Sequence, residues 1–115
     1  MKDVNGKILY RGKEYGLVFN LNVMEDIQSE YGSIAEWGAK TDGENGEPDA
    51  KAVKYGITAM LNEWIDIQNE ETGDAMPFLS EKQVGRMISE MGFANTVQAL
   101  NNTVIDSTQS TEKNE

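Results

Sequence analysis

Carboxylates are the only plentiful side chains in this sequence that can carry acid–base or metal chemistry. The chain holds twenty Asp and Glu against ten Lys and Arg, with neither His nor Cys, for a formal net charge of −10. Glu63, Asp66 and Glu70 fall at i, i+3 and i+7, one face of a helix, where two carboxylates at close quarters can share a proton or bind a cation. No basic, amide or His side chain clusters with them, so the favoured reading is a solvated face opposite an apolar stripe. The acidic run starting at Asp42 fails as a calcium loop. Its sixth position is Glu47 where Gly is needed, and its twelfth is Val53 where Glu is needed.

Without His or Cys there is no Ser–His or Cys–His nucleophile, no structural zinc site and no disulfide framework. Neither a dinucleotide fingerprint, a P-loop nor a Gly-x-Ser-x-Gly elbow occurs. The expectation is therefore a non-enzymatic protein with no catalytic residues, cofactor or metal. A chain this acidic is repelled by nucleic-acid backbones and anionic membranes, and no apolar run approaches the ~20 residues that span a bilayer. Contact with other proteins is the function class that remains.

The elements that would position any contact surface can be read along the 115 residues. Ile8-Leu9-Tyr10 and Tyr15 with Leu17 to Phe19 read as two strands of a hairpin over residues 7–20, joined by a four-residue loop, Arg11-Gly12-Lys13-Glu14. Asn22 with Glu25 has the form of a capping box opening a first helix, whose face carries Met24, Ile27 and Tyr31 and which Gly32 stops. Ser33 with Glu36 repeats the signal for a short helix bearing Ile34 and Trp37. Residues 41–49, rich in acids and Gly, read as a mobile loop.

Asp49 caps a long helix with the stripe Val53, Ile57, Met60, Leu61 and Trp64, ending before Gly73. A loop over 73–79 carries Met76, Phe78 and Leu79 around Pro77; it either tucks over the core, the favoured reading, or offers an adaptable exposed patch. Ser80 with Gln83 opens a helix bearing Val84, Met87, Ile88 and Met91, and Gly92 separates it from a last one bearing Phe93, Val97, Leu100 and Val104. The fold class expected is α+β and predominantly helical, an N-terminal β-hairpin packed on a bundle of about four to five helices. Residues 1–106 form the single domain, and residues 107–115, with nothing to bury, a disordered tail.

The order of these elements resembles a known family. Tyr15-Gly-Leu-Val-Phe-Asn-Leu-Asn-Val-Met-Glu-Asp-Ile-Gln-Ser-Glu-Tyr-Gly-Ser-Ile-Ala-Glu-Trp is similar to the start of the tail assembly chaperones of long-tailed (siphovirus-type) bacteriophages and prophages. There a short strand precedes a Leu-Asn, apolar, Met-Glu pattern closed by an aromatic-Gly-Ser. Asn62-Glu63 within a long helix, Leu79-Ser-Glu-Lys-Gln-Val-Gly after a loop, and Val97-Gln-Ala-Leu-Asn-Asn-Thr-Val extend the resemblance over residues 8–106.

The resemblance implies a host-cytoplasmic chaperone that binds the tape-measure protein, recruits tail-tube subunits and leaves before the virion is complete; weak self-association is expected as an alternative to recruiting the tube protein. Some members exist in a short and a frameshifted long form. The expected contact residues are Met76 and Phe78 first and Trp37 next, although both Trp37 and Trp64 are expected in the core before any contact role. Two other classes compete: a structural tail component of the virion, and an acidic nucleic-acid mimic that inhibits a DNA-binding protein.

Overall fold

The computed structural model describes the backbone of residues 5–43 and 46–113 and, among these, the side chains through Ser107. A two-stranded antiparallel hairpin, β1 (Gly6–Tyr10) and β2 (Lys13–Leu17), precedes five helices: α1 (Leu21–Tyr31), α2 (Ile34–Asp42), α3 (Ala50–Thr72), α4 (Glu81–Met91) and α5 (Phe93–Lys113). The α+β, mainly helical architecture expected from the sequence is the one observed. No helix among the described residues is long and apolar enough to cross a membrane.

The hairpin is tighter than the sequence suggests. Tyr10 pairs with Lys13, so the connection is the two residues Arg11 and Gly12 rather than four. Both take positive φ, 51° and 77°, the twist of a primed turn that matches the strands. Arg11 is the unusual member, since a side chain in this region is strained. Its guanidinium reaches Glu90 near the end of α4, Nη2 donating to Oε1 at 3.1 Å and Nε to Oε2 at 3.3 Å. Tyr10 Oη donates to the same carboxylate at 3.3 Å. This clamp holds the turn against the helical layer.

A lone hairpin is marginal in water, and this one is covered on two sides: β2 lies on α3, and β1 on α5. Gly16 lets β2 come close, because a Cβ there would overlap the Trp64 ring. Ile8, Leu17 and Phe19 turn into the core, where they meet Val23 and Ile27 of α1, Trp37 of α2, Val53, Ile57, Met60 and Leu61 of α3, Val84, Met87 and Ile88 of α4, and Leu100 of α5. The buried Thr residues of the helices keep their hydroxyls satisfied locally. Thr58, Thr96 and Thr103 each donate to the carbonyl four residues back, at 2.8–2.9 Å.

Helix starts follow the sequence in three of four capped cases. Ser33 accepts from Glu36 N, Asp49 from Ala52 N, and Ser80 and Gln83 form a reciprocal capping box. The exception is α1. Its N-cap is Asn20, accepting from Val23 N, not Asn22 two residues later. Val23 and Ile27 face the core, and Met24 and Tyr31 are half-buried.

Other boundaries also move. Thr41 and Asp42, expected in the acidic loop, are the last residues of α2, with Thr41 buried and Gly43 in the left-handed cap; Glu44 and Asn45 lie outside the described residues. On α3 it is Ile65, not Trp64, that completes the buried stripe, and Trp64 is half-buried. The tail expected to be disordered from residue 107 is helical to Lys113, while residues 114 and 115 lie outside the described residues. The physical reason is that a helix already formed gains one hydrogen bond per added residue, and residues 107–113 contain neither Gly nor Pro to stop it.

Candidate functional site

The loop between α3 and α4 is fastened to α3 by two asparagines one heptad apart. Leu79 N donates to Asn62 Oδ1 at 2.8 Å, and Asn62 Nδ2 returns a bond to Leu79 O at 2.9 Å. Met76 N and O are matched in the same way by Asn69, both bonds being 3.0 Å. Each side-chain amide thus imitates the edge of a strand toward one residue of the loop. Asn is a poor helix former because its amide competes for backbone partners, and here that amide is turned outward to bind a second segment. Residues 76–79 become a strap along α3.

The strap decides which of its apolar side chains faces solvent. Met76 and Leu79 are half-buried, whereas Phe78 stays 58% exposed. The tucked reading therefore holds for Met76 and Leu79 and fails for Phe78. Trp37, expected as a further contact residue, belongs wholly to the core at 1% exposure. Its indole Nε1 donates to Ala52 O at 3.0 Å, its ring stacks on Phe19 at 6.2 Å between centroids, and Gly56 makes room for it. The position that the Ser33 cap gives Trp37 aims it inward, so it offers nothing to a partner.

Beside Phe78 runs an open groove of about 360 Å³. Tyr55, Thr58, Ala59 and Asn62 of α3 line it together with Phe78. Four acids line it as well: Asp26 from α1, Glu63 and Asp66 from α3, and Glu81 from the start of α4. No Lys or Arg lines it, and none of the four acids takes part in an ion pair among the described residues. Glu70, the third acid of the helix-face series, does not line it.

Glu63 is more than a solvated acid. Its Oε2 accepts from Asn20 Nδ2 at 2.9 Å and from Asn22 Nδ2 at 3.0 Å. These amide partners come from a different element, which corrects the expectation that none gathers around it. Tyr55 Oη donates to Asp26 O at 3.0 Å and ties α3 to α1.

Two phenols report the local field. Tyr55 has its pKa raised, first by burial and then by Asp26, Glu30 and Glu81. Tyr31, edge-on to Tyr55 at 5.7 Å, is raised by burial and then by Asp49, Glu30, Glu81 and Tyr55. Both stay neutral in a strongly negative neighbourhood. No group of three or more acids among the described residues has a geometry that would hold a metal ion.

Comparison with protein-family models, with curated proteins and with solved structures gives no match for this chain. The chemistry of the site is its own: an exposed aromatic side chain on a fastened strap, next to a groove of mixed polarity lined by four carboxylates. Of the residues that build it, sequence reasoning reached Phe78 and the pair Glu63 and Asp66. It missed Asn62 and Asn69 as fasteners and Asp26, Tyr55 and Glu81 as lining. The one signal for the fasteners was the pair of asparagines inside a strongly predicted helix, at i and i+7.

Proposed function

We propose that this chain is a non-enzymatic tail assembly chaperone of a long-tailed phage or prophage. It engages the tape-measure protein through the Phe78 strap and the adjoining groove, recruits tail-tube subunits, works in the host cytoplasm and is released before the virion is complete. The sequence resemblance over residues 8–106 suggests the setting. The observation that supports a protein-binding role is Phe78: a large aromatic more than half exposed on a strap fastened on either side of it through the backbone groups of Met76 and Leu79. An apolar side chain fixed in solvent is poor for solubility and useful for docking.

The test is co-expression with the tape-measure and tail-tube products encoded beside it, followed by purification through a tag on this chain. Retention of tape-measure fragments, together with absence of the chain from purified virions, is the expected outcome. Stoichiometric presence in virions without tape-measure retention would replace this reading with a structural role.

A further inference from the structure

We propose that the groove between α1, α3 and the strap receives an amphipathic helix of a partner protein, one that carries Lys or Arg on both flanks of an apolar ridge. The inference deepens the chaperone reading, on which it rests for the identity of the site, and names the chemistry that the client segment must present.

Three observations converge on this occupant. The groove offers apolar surface from Ala59, the Tyr55 ring and the exposed Phe78, beside the Thr58 hydroxyl and the Asn62 amide. A groove bounded by helices and a fastened strap, and open to solvent, takes a ridge of side chains rather than an enclosed small molecule. The second observation is charge. Asp26, Glu63, Asp66 and Glu81 line the same groove, and among the described residues none has a cationic partner. Glu63 is oriented by Asn20 and Asn22, both through Oε2, which leaves Oε1 to an incoming donor. Acids beside apolar surface select cations next to an apolar side chain, and they repel phosphate backbones.

The third observation is order. Asn62 and Asn69 hold the strap before any partner arrives, so docking does not spend free energy on ordering it. A helix is favoured over an extended peptide because no strand lines the groove to pair with one.

The experiment titrates the full chain into a fluorescein-labelled synthetic helical peptide of about five turns, Leu on one face and Lys on both flanks, read by anisotropy. Saturable binding is expected. It weakens about tenfold or more in Phe78→Ala and in the double variant Asp66→Lys/Glu81→Lys. The double variant Glu25→Lys/Glu71→Lys changes net charge equally at exposed sites outside the groove and retains most of the affinity. Circular dichroism checks that every variant is folded.

No binding by the wild-type chain overturns the proposal, as does equal binding of a peptide with Glu in place of Lys. Equal weakening by the two double variants also overturns it, because the attraction would then be diffuse. Tape-measure fragments form a separate arm. Their equal retention by wild type and by Asp66→Lys/Glu81→Lys overturns the groove and keeps the chaperone reading. Peptide binding at the groove with no fragment retained keeps the groove and overturns the chaperone reading.

Discussion

The indole of Trp64 lies against the bare backbone of Gly16, so that α3 and β2 approach as closely as a missing side chain permits. Trp64 also meets Tyr15 edge-on at 6.0 Å. Gly16→Ala should cost ~1–3 kcal/mol, since Trp64 must leave its position to admit the methyl. Trp64→Ala should cost ~2–3 kcal/mol, below the figure for a fully buried Trp because this one is half-buried. Together they should cost clearly less than their sum, because the space vacated by one receives the other. Guanidinium melts of the four proteins measure this, and strict additivity would show that the two residues do not press on each other.

Asn62→Ala and Asn69→Ala should each release one end of the strap. Each removes two partly buried bonds to backbone and should cost ~1–3 kcal/mol. The sharper readout is local. Amide exchange at Leu79 should accelerate in Asn62→Ala and at Met76 in Asn69→Ala, each with little change at the other site. Simultaneous acceleration at both would mean that the strap opens as one unit.

Glu63→Ala should cost ~0.5–1.5 kcal/mol, more than an ordinary surface substitution, because Asn20 and Asn22 lose an ionised acceptor. Glu63→Gln should recover part of it. A loss indistinguishable from that of Glu70→Ala would return Glu63 to the status of a solvated acid.

Tyr31→Phe should be neutral or stabilising. Its hydroxyl is buried without a protein partner among the described residues, and removing it relieves a desolvated group. Tyr55→Phe should cost ~1 kcal/mol through the bond to Asp26 O. Both phenols have folded-state pKa values raised, primarily by burial. The folded chain therefore holds these protons to higher pH than the unfolded chain does. Their contribution is whole below the unfolded tyrosine pKa and is lost as pH rises from there through the folded values. Alkaline unfolding should shift to higher pH in Tyr31→Phe, and a shift to lower pH would contradict the assigned burial.

Glu90 titrates with the opposite sign. The Arg11 hydrogen bond, foremost, holds its carboxylate below the ordinary glutamate range. What the clamp contributes is present above the unfolded glutamate pKa and disappears as pH falls through the lowered folded value. Carboxyl-carbon NMR of Glu90 should show the depressed midpoint, and Arg11→Ala should move it back up.

Much of the fold was legible because its signals are local. Asp49, Ser33 and Ser80 with Gln83 each satisfy orphan amides within one turn, and Gly32, Gly73 and Gly92 stop helices where only positive φ serves. The start of α1 was not legible, since Asn20 and Asn22 are equally good caps in isolation; in the fold Asn20 Oδ1 accepts from Val23 N, while the Asn22 amide donates to Glu63 on another helix. The turn was misread because Arg11, not the usual Asn or Asp, precedes Gly12, and its strained conformation is held by Glu90, almost eighty positions away. The groove was least legible of all. Asp26, Glu63 and Glu81 come from three helices, and in sequence each is one acid among twenty.

The placement of the hairpin also governs when the fold can close during synthesis. Gly6 of β1 lies against Thr103 of α5, and Asn5 Nδ2 donates to Asp106 Oδ2 at 3.5 Å across 101 positions. A ribosome releases β1 and β2 long before α5 exists, and a solitary hairpin does not hold its shape. Until α5 emerges, β1 with Ile8 lacks part of its cover, and the nascent chain displays apolar strand to its surroundings. Folding should thus be gated by the arrival of α5, with the longest loop closure coming last and setting the rate.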